Sequence, residues 1–190
     1  MDGVSPACAV ASQCARRCCG VSEQQDQPAP QTGGEGRPVL YTIGHSNHPA
    51  DELAALLRRH DIRLVLDVRS SPYSRHVPQA NRESLARSLG RHQIAYRWLG
   101  DQLGGRVEGV AADYDKLRAS PAFQQGVAEL VTVAGSTRAA ILCAEGDHRQ
   151  CHRYTLITPA LLDRGVHVLH IQPNGTLVDE DLEPTQLALF

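Results

Sequence analysis

The chain has 190 residues, of which 42% are hydrophobic, and a formal net charge of −2 at pH 7, which fits one α/β-sized domain with additional segments. No apolar run approaches the roughly 20 residues of a membrane span, and the N-terminus lacks the basic and then apolar pattern of a signal peptide. We therefore expect a cytoplasmic protein with no membrane partner. Six cysteines without an export signal indicate reduced thiols, metal ligands or catalytic groups rather than disulfides.

Residues 1–37 contain four of the six cysteines among Ser, Gln, Pro and Gly, with no apolar periodicity. This composition predicts a disordered segment. A metal-binding tail and a start codon assigned too early are alternatives, although the cysteine spacing matches no zinc or iron–sulfur pattern. We divide the rest of the chain into an α/β domain at 38–176 and an acidic tail at 177–190.

The first half of the predicted domain alternates strands and helices. Val39 begins a β-branched strand that ends in the polar loop 44–48, G-H-S-N-H. A helix follows over 49–60, with proline and acids at its start and basic residues at its end. Residues 62–68 form an apolar strand typical of the centre of a parallel sheet, and the polar loop 69–75 follows it.

The second half continues the alternation. Asn81 is expected to cap a short helix, 94–98 to form a short strand, and the glycine-rich segment 99–109 to be a mobile loop. Ser120 and Pro121 begin a helix that ends at Gly135, and 138–143 is the next strand. The last elements are a helix over 151–164, kinked or restarted at Pro159, and a strand over 166–171.

Strands that alternate with helices predict a single domain with a mainly parallel sheet between two helical layers. In such a sheet, the loops at the carboxyl ends of the strands form the ligand site. Several polar side chains fall at these ends: His45, Ser46, Asn47, Asp67, Arg69, Ser70, Cys143 and Glu145. We expect a concave site that includes His45, Asp67, Arg69, Glu145 and Arg153.

Four motifs resemble a bacterial family catalogued as domain of unknown function 488. They are Y-T-I-G-H-S-N (41–47), L-V-L-D-V-R-S-S-P-Y-S-R (64–75), Y-R-W-L-G-D-Q-L-G-G (96–105) and L-C-A-E-G-D-H-R-Q-C-H-R (142–153). The resemblance covers roughly 39–172 and implies little about activity. The family's recurrent polar positions correspond to Gly44, His45, Ser46, Asp67, Arg69, Pro72, Cys143, Glu145, Cys151, His152 and Arg153. Ala80 stands where the family pattern has an aromatic residue, which argues against substrate stacking at this position.

Three interpretations compete for the segment 141–153. In the one we favour, Glu145 is a general acid or base, assisted by His45, Asp67 or His152. Ser46 and one of three arginines then bind a phosphate, and the cysteines only pack. The candidate arginines are Arg69, Arg149 and Arg153.

In the second interpretation, Cys143 is a nucleophile at the start of a helix, as in a rhodanese-like or phosphatase-like enzyme. L-V-L-D-V-R also resembles the strand of rhodanese-like domains. The acids Glu145 and Asp147 argue against a thiolate, because they would raise the pKa of the thiol and repel a phosphate. In the third interpretation, Cys143, Cys151 and His152 bind zinc or iron, with His45 as a further candidate ligand.

Charge is distributed unevenly along the chain. The stretch 58–106 has ten arginines and four acids and thus a charge of +6, while the remainder has −8. This asymmetry favours a phosphate-bearing partner such as DNA or a nucleotide. It is also compatible with a solvated arginine-rich surface, or with a nucleic-acid-binding module that has no catalytic activity. We expect an enzyme of DNA or nucleotide metabolism, with DNA repair as one such role.

The chain ends in Q-L-A-L-F, which resembles the pentapeptide by which bacterial replication and repair proteins bind the sliding clamp. Gln186, Leu187, Leu189 and Phe190 would be the anchors, placed beyond the acidic segment 179–183. The alternative is that these side chains fold back onto the domain. We expect the tail to tether the protein to the clamp and so raise its concentration near DNA.

Overall fold

The computed structural model describes residues 36–106 and 113–180. Within these residues, six strands form one sheet: β1 (Val39–Gly44), β2 (Leu64–Asp67), β3 (Ala95–Trp98), β4 (Ala139–Cys143), β5 (His167–Ile171) and β6 (Leu177–Asp179). Their order in the sheet is β3-β2-β4-β1-β5-β6. The first five strands are parallel, and β6 pairs antiparallel with β5. The predicted single α/β domain with a mainly parallel sheet is therefore confirmed.

Helices cover both faces of this sheet. They are α1 (Ala50–Arg59), α2 (Arg82–Arg91), α3 (Gly100–Leu103), α4 (Tyr114–Ala119), α5 (Pro121–Ala134) and α6 (Thr158–Leu162). Successive side chains of a strand point to opposite faces, so β1 contributes to two cores. Leu40 packs with the side chains of α5 and α6, whereas Tyr41 and Ile43 pack with those of α1 and α2. None of the described helices is long and apolar enough to cross a membrane.

Local sequence signals account for the start of α5 but not fully for that of α2. Ser120 caps α5 by accepting a hydrogen bond from the Phe123 amide, and Pro121 occupies the first turn. Asn81 precedes α2 as expected, but its side chain makes no cap hydrogen bond within that helix. Its Oδ1 instead accepts a hydrogen bond from the Ser74 amide at 2.7 Å, which ties the loop after β2 to the start of α2.

Three segments differ from the sequence-based expectations. Part of the predicted mobile loop 99–109 is the helix α3, while residues 107–112 lie outside the described part of the chain. The predicted helix over 151–164 is a π-helical turn at Arg153–Ile157 followed by α6. Pro159 has no backbone N–H to continue a regular hydrogen-bond ladder at this point.

The sheet also continues into the segment that we assigned to the acidic tail. Residues 177–179 form β6, and the two acids at its end are bound by histidines of β5. His167 contacts Asp179 at 2.7 Å, and His170 contacts Glu180 at 3.2 Å. Acidic residues there are thus partners of buried histidines and not a solvated spacer. Residues 1–35 and 181–190, with the predicted disordered segment and the clamp-binding-like motif, lie outside the described residues.

The end of β1 approaches the loop after β4 too closely for a side chain. A Cβ atom added to Gly44 would overlap the carbonyl oxygen of Glu145. We expect Gly44→Ala to lower the free energy of unfolding by about 1–3 kcal/mol, the usual cost of overpacking, because the loop must shift. Chemical denaturation measures this difference.

Gly90 provides the matched control, because a Cβ atom there meets no atom within 4 Å and the residue lies in α2. Gly90→Ala should raise the free energy of unfolding by roughly 0.5–1 kcal/mol, since alanine loses less conformational entropy in a helix. Equal effects of the two substitutions would contradict the close approach at Gly44.

Candidate active site and metal centre

An open cleft of about 550 Å³ lies at the carboxyl ends of β1, β2 and β4. Seven of the candidate catalytic, phosphate-binding and metal-binding side chains line it: His45, Ser46, Arg69, Cys143, Glu145, Cys151 and His152. Asp67, Arg149 and Arg153 are not among its lining residues. A concave site therefore lies at the expected edge of the sheet. Of the five residues expected to line it, His45, Arg69 and Glu145 do so, and Asp67 and Arg153 do not.

Two thiols and one imidazole meet at the floor of this cleft. The Sγ atom of Cys143 lies 3.5 Å from Nδ1 of His152, and the Sγ atom of Cys151 lies 3.7 Å from the same nitrogen. The three atoms all lie within 4.8 Å of one another. Both cysteines are free thiols, each with only 5% of its surface exposed. The interpretation in which the cysteines only pack does not explain this convergence.

The His152 ring is held in one orientation. Its Nε2 lies 3.1 Å from the carbonyl oxygen of Val68, an acceptor, so Nε2 carries the proton. The neutral ring then presents the lone pair of Nδ1 to the two thiols. Gly105 packs on the other side of the ring, where an added Cβ atom would lie 2.6 Å from the Cβ and Cγ atoms of His152. A glycine at this position is what allows the chain after α3 to cover the histidine.

The surroundings of Cys143 stabilise its thiolate. The pKa of Cys143 is lowered to about 7, chiefly by the hydrogen bond from Cys151. The amides of Ala144 and Glu145 and the charge of Arg153 add to this effect and outweigh burial. The same hydrogen bond and burial raise the pKa of Cys151. The sequence-based argument that the acids would raise the pKa of Cys143 is wrong, because Glu145 acts on the sulfur through its backbone amide.

The two sulfur–nitrogen separations of this group fit one tetrahedral metal ion. Zinc–sulfur bonds of about 2.3 Å and zinc–nitrogen bonds of about 2.05 Å place sulfur and nitrogen about 3.6 Å apart around a tetrahedral ion. The observed separations are 3.5 and 3.7 Å. The hydrogen bond to the Val68 carbonyl is the type of outer contact that orients a metal-binding histidine. Three protein ligands leave a fourth position for water or substrate.

A second group of possible ligands does not fit a metal. His148, His170 and Glu180 also have ligand atoms within 4.8 Å of one another. However, the two imidazole rings are stacked with centroids 4.2 Å apart and planes inclined by only 18°. Because a bound ion lies in the plane of each ligating ring, nearly parallel stacked rings cannot share one. Burial first, and then nearby positive groups, lower the pKa of His170 to about 3, so this ring is neutral at pH 7.

Arg69 is fixed in the wall of the cleft by a buried carboxylate. Its Nε donates to Oδ1 of Asp67 at 2.8 Å, and its Nη2 donates to Oδ2. Nη2 also donates to the carbonyl of Ala80 at 2.9 Å, and Tyr96 donates its hydroxyl to Oδ2 of Asp67 at 2.6 Å. Burial alone would lower the pKa of Arg69, but the bonds and charge of Asp67 raise it. Asp67 therefore positions Arg69 and does not itself reach the cleft, in place of the assisting acid or base role expected from the sequence.

Arg153 supports the site from behind. It has no exposed surface, and its Nη1 and Nη2 donate to the carbonyl oxygens of Glu145 and Gly146 at 2.6 and 3.1 Å. Its predicted role as a phosphate ligand is replaced by a structural one, because both terminal nitrogens hold the loop after β4. Arg149 is exposed and lies outside the cleft. Sequence reasoning missed Arg106, which lines the cleft and donates its amide to Ser70 Oγ at 2.9 Å.

His45 presents a neutral imidazole to the cleft. Burial, followed by the charge of Arg69, lowers its pKa. Its Nδ1 lies 2.8 Å from the carbonyl of Ser46, which places the proton on Nδ1 and leaves a lone pair on Nε2. Ser46 has a φ of 45°, a left-handed conformation that turns the chain sharply after β1. His45 is thus unprotonated at Nε2 near neutral pH.

Together these features define a parallel α/β protein with a cysteine–histidine centre at the carboxyl edge of its sheet. The chain belongs to the family described as Domain of unknown function DUF488, whose model matches residues 49–158. The matched region contains three of the four motifs, and the motif at 41–47 precedes it. A search of curated proteins found no match, and neither did a search of solved structures.

The lowered pKa of Cys143 can be measured in protein treated with a chelator. We expect the rate of alkylation of Cys143 by iodoacetamide to increase with pH around a midpoint near 7, because the thiolate is the reactive form. A free cysteine would have its midpoint near roughly 8.5. Mass spectrometry of the peptide that contains Cys143 follows the reaction.

Cys151→Ala, which removes the donor, tests the cause of this shift. Loss of the strongest hydrogen bond to the Cys143 sulfur should weaken the stabilisation of the thiolate and move the midpoint upward. An unchanged midpoint in this variant, or a wild-type midpoint at or above that of a free cysteine, would contradict the proposed environment.

Proposed function

We propose that this protein is a metal-dependent hydrolytic enzyme that acts on a nucleotide or nucleic-acid substrate. The observation that carries the proposal is the convergence of Cys143, Cys151 and His152, whose two sulfur–nitrogen separations fit a tetrahedral ion, with His152 oriented by the Val68 carbonyl. Zinc is the preferred ion, because thiolate and imidazole ligands in this geometry favour it, and iron is the alternative. This proposal places the metal interpretation ahead of the acid/base interpretation that we favoured from sequence and ahead of the thiolate interpretation.

The residues around this centre suit hydrolysis. Cys143, Cys151 and His152 would hold the ion, which when bound would supply a Lewis acid that activates water for attack. Glu145 lies two residues after Cys143, is exposed in the cleft, and is the group we assign to proton transfer. His45, which is neutral, is a second proton acceptor in the same cleft. Arg69, with its guanidinium locked by Asp67, binds an anionic part of the substrate.

A single thiolate-rich ion favours attack at carbon over displacement at phosphorus. Enzymes that displace a phosphoryl group with metals often use two ions about 3.5–4 Å apart. Among the described residues, only the group of Cys143, Cys151 and His152 has a geometry that fits an ion. We therefore assign the reacting centre to a carbonyl or amidine-type carbon, and the anionic group to recognition.

The thiolate enzyme is the second candidate, and one observation favours it. The pKa of Cys143 is lowered to about 7, and His152 is placed to accept its proton. The same features also favour metal binding, because a metal ligand must be a thiolate. Metal content therefore discriminates between the two functions.

We further propose a role in DNA repair and a cytoplasmic location, with the protein tethered to the sliding clamp by Gln186, Leu187, Leu189 and Phe190. The support is the motif Q-L-A-L-F and the charge of +6 over 58–106. A clamp-bound protein is held near DNA at high effective concentration. Acting on a base or nucleotide in DNA is consistent with such a tether.

Metal content tests the main proposal. Purified full-length protein should hold about one zinc ion per chain, and Cys143→Ser and His152→Ala should each lose most of it, because three ligands are needed for tight binding. Glu145→Gln should retain the ion, since Glu145 is assigned no ligand role. Elemental analysis by mass spectrometry measures the stoichiometry.

Cys18→Ser is the matched control for the loss of a thiol, because Cys18 lies in the N-terminal segment. Its metal content should equal that of the wild type. A metal-free wild-type protein whose Cys143 is trapped in a covalent adduct with substrate would instead establish the thiolate enzyme.

The tether predicts that a peptide of the last ten residues binds a bacterial sliding clamp with about micromolar affinity, as expected for a few apolar anchors. Isothermal titration calorimetry with full-length protein and with a variant lacking Gln186 to Phe190 measures the contribution of the motif. Equal affinity of these two proteins for the clamp would refute the tether.

A further inference from the structure

We infer that Tyr73 is the stacking platform for the aromatic base of a nucleotide unit whose phosphate binds Arg69. This inference deepens the proposed function and rests on it, because it assigns the substrate class of the same cleft. It makes Tyr73 a recognition residue that the sequence analysis did not single out.

Tyr73 is a large aromatic residue that is exposed to solvent, whereas most aromatic side chains are largely buried. Its side chain lines the cleft, yet 57% of the residue surface is exposed. Among the described residues, Leu177 is the one other large hydrophobic side chain with comparable exposure, and it lies on the edge strand β6. An exposed ring at the rim of a polar cleft offers a face on which a planar base can stack.

The loop that carries Tyr73 holds the ring in place. The Tyr73 hydroxyl donates to Oε1 of Glu83 at 2.8 Å, across to helix α2. Pro72 is buried, and its carbonyl accepts a hydrogen bond from the Arg82 amide at 3.0 Å. The Ser74 amide is bound by the Asn81 side chain. With both neighbours and the hydroxyl fixed, little conformational entropy remains to be lost when a base stacks.

The cleft beside this ring suits a phosphate and a sugar. Arg69 and Arg106 supply positive charge, and the hydroxyls of Ser70, Ser71 and Ser74 line the space with them. Ser70 Oγ also accepts the Arg106 amide, which fixes that arginine's backbone next to the loop of Arg69. Guanidinium groups bind phosphate, and hydroxyls bind sugar and phosphate oxygens. An aromatic face next to such groups matches the three parts of a nucleotide.

The test compares two oligonucleotides of equal charge, one of eight thymidine nucleotides and one of eight abasic units. Fluorescence anisotropy at one fixed low salt concentration measures their affinity for the full-length protein. We expect the abasic strand to bind about 5- to 100-fold more weakly, which is the range that loss of one base–aromatic stack produces. Equal affinity of the wild-type protein for both strands would overturn the inference.

Variants test whether the affinity difference between the two strands comes from the Tyr73 ring. Tyr73→Ala should reduce the affinity for the thymidine strand to that for the abasic strand, whereas Tyr73→Phe should preserve the difference because the ring remains. Arg69→Lys should weaken binding of both strands by the same factor, since it acts on the phosphate. Arg87→Gln, a change at an exposed arginine of α2 outside the cleft, is the charge control. A base preference that survives in Tyr73→Ala overturns the inference.

Two further measurements separate this inference from the proposed function. Zinc content is determined on the same preparations: a protein with one zinc ion per chain but no base preference refutes Tyr73 as the platform and leaves the metal centre intact. A metal-free protein whose base preference is lost in Tyr73→Ala refutes the metal centre and supports Tyr73 as the platform. Competition with thymidine monophosphate then distinguishes a free nucleotide from a single strand, and either source supports the inference.

Discussion

The site depends on one contact, the closure of the loop after β4 over the end of β1. The ladder between these parallel strands continues beyond them, because the His45 amide donates to the Cys143 carbonyl and the Ser46 amide donates to the Ala144 carbonyl. Gly44 leaves room for this approach, and buried Arg153 holds the next two carbonyls of the loop from behind. The loop therefore has a fixed path, and its amides are held near the Cys143 sulfur.

A second set of contacts positions Cys151 and His152. Cys151 and His152 follow the 3₁₀ turn at His148–Gln150, and the imidazole is oriented by the Val68 carbonyl at the end of β2. Gly105, which has no side chain, lets the chain after α3 pack closely against His152. The centre is thus shared among segments from three parts of the chain. A backbone carbonyl, rather than a side chain, decides which imidazole nitrogen faces the thiols.

The cleft contains a stabilised thiolate at Cys143 and a positive guanidinium at Arg69. At the cysteines, amides and the charge of Arg153 favour a thiolate, which is the state that a metal ion or a nucleophilic role requires. Elsewhere in the cleft lining, the carboxylate of Asp67 is bound by Arg69 and Tyr96, and of the Asp67–Arg69 pair only the positive Arg69 reaches the cleft. A substrate that carries an anionic group and an electrophilic carbon could place the anionic group at Arg69 and the carbon near the cysteines.

The sequence by itself determined the five parallel strands, most of the helices and the edge of the sheet where the site lies. Apolar periodicity, Pro121 after Ser120 and the polar residues after each strand are local signals, so they can be read without a structure. The pairing of Asp67 with Arg69 was also predictable, because the two residues are two positions apart. The tertiary structure alone decided the rest. Arg153 became a buried support because the chain folds its guanidinium under residues 145 and 146. Segment 99–105 packs closely on Arg69 and His152 because Gly100 and Gly105 carry no side chain. Residues 143, 151 and 152 acquired ligand spacing only through the path of the intervening loop, since no periodicity brings positions eight and nine residues apart to one point.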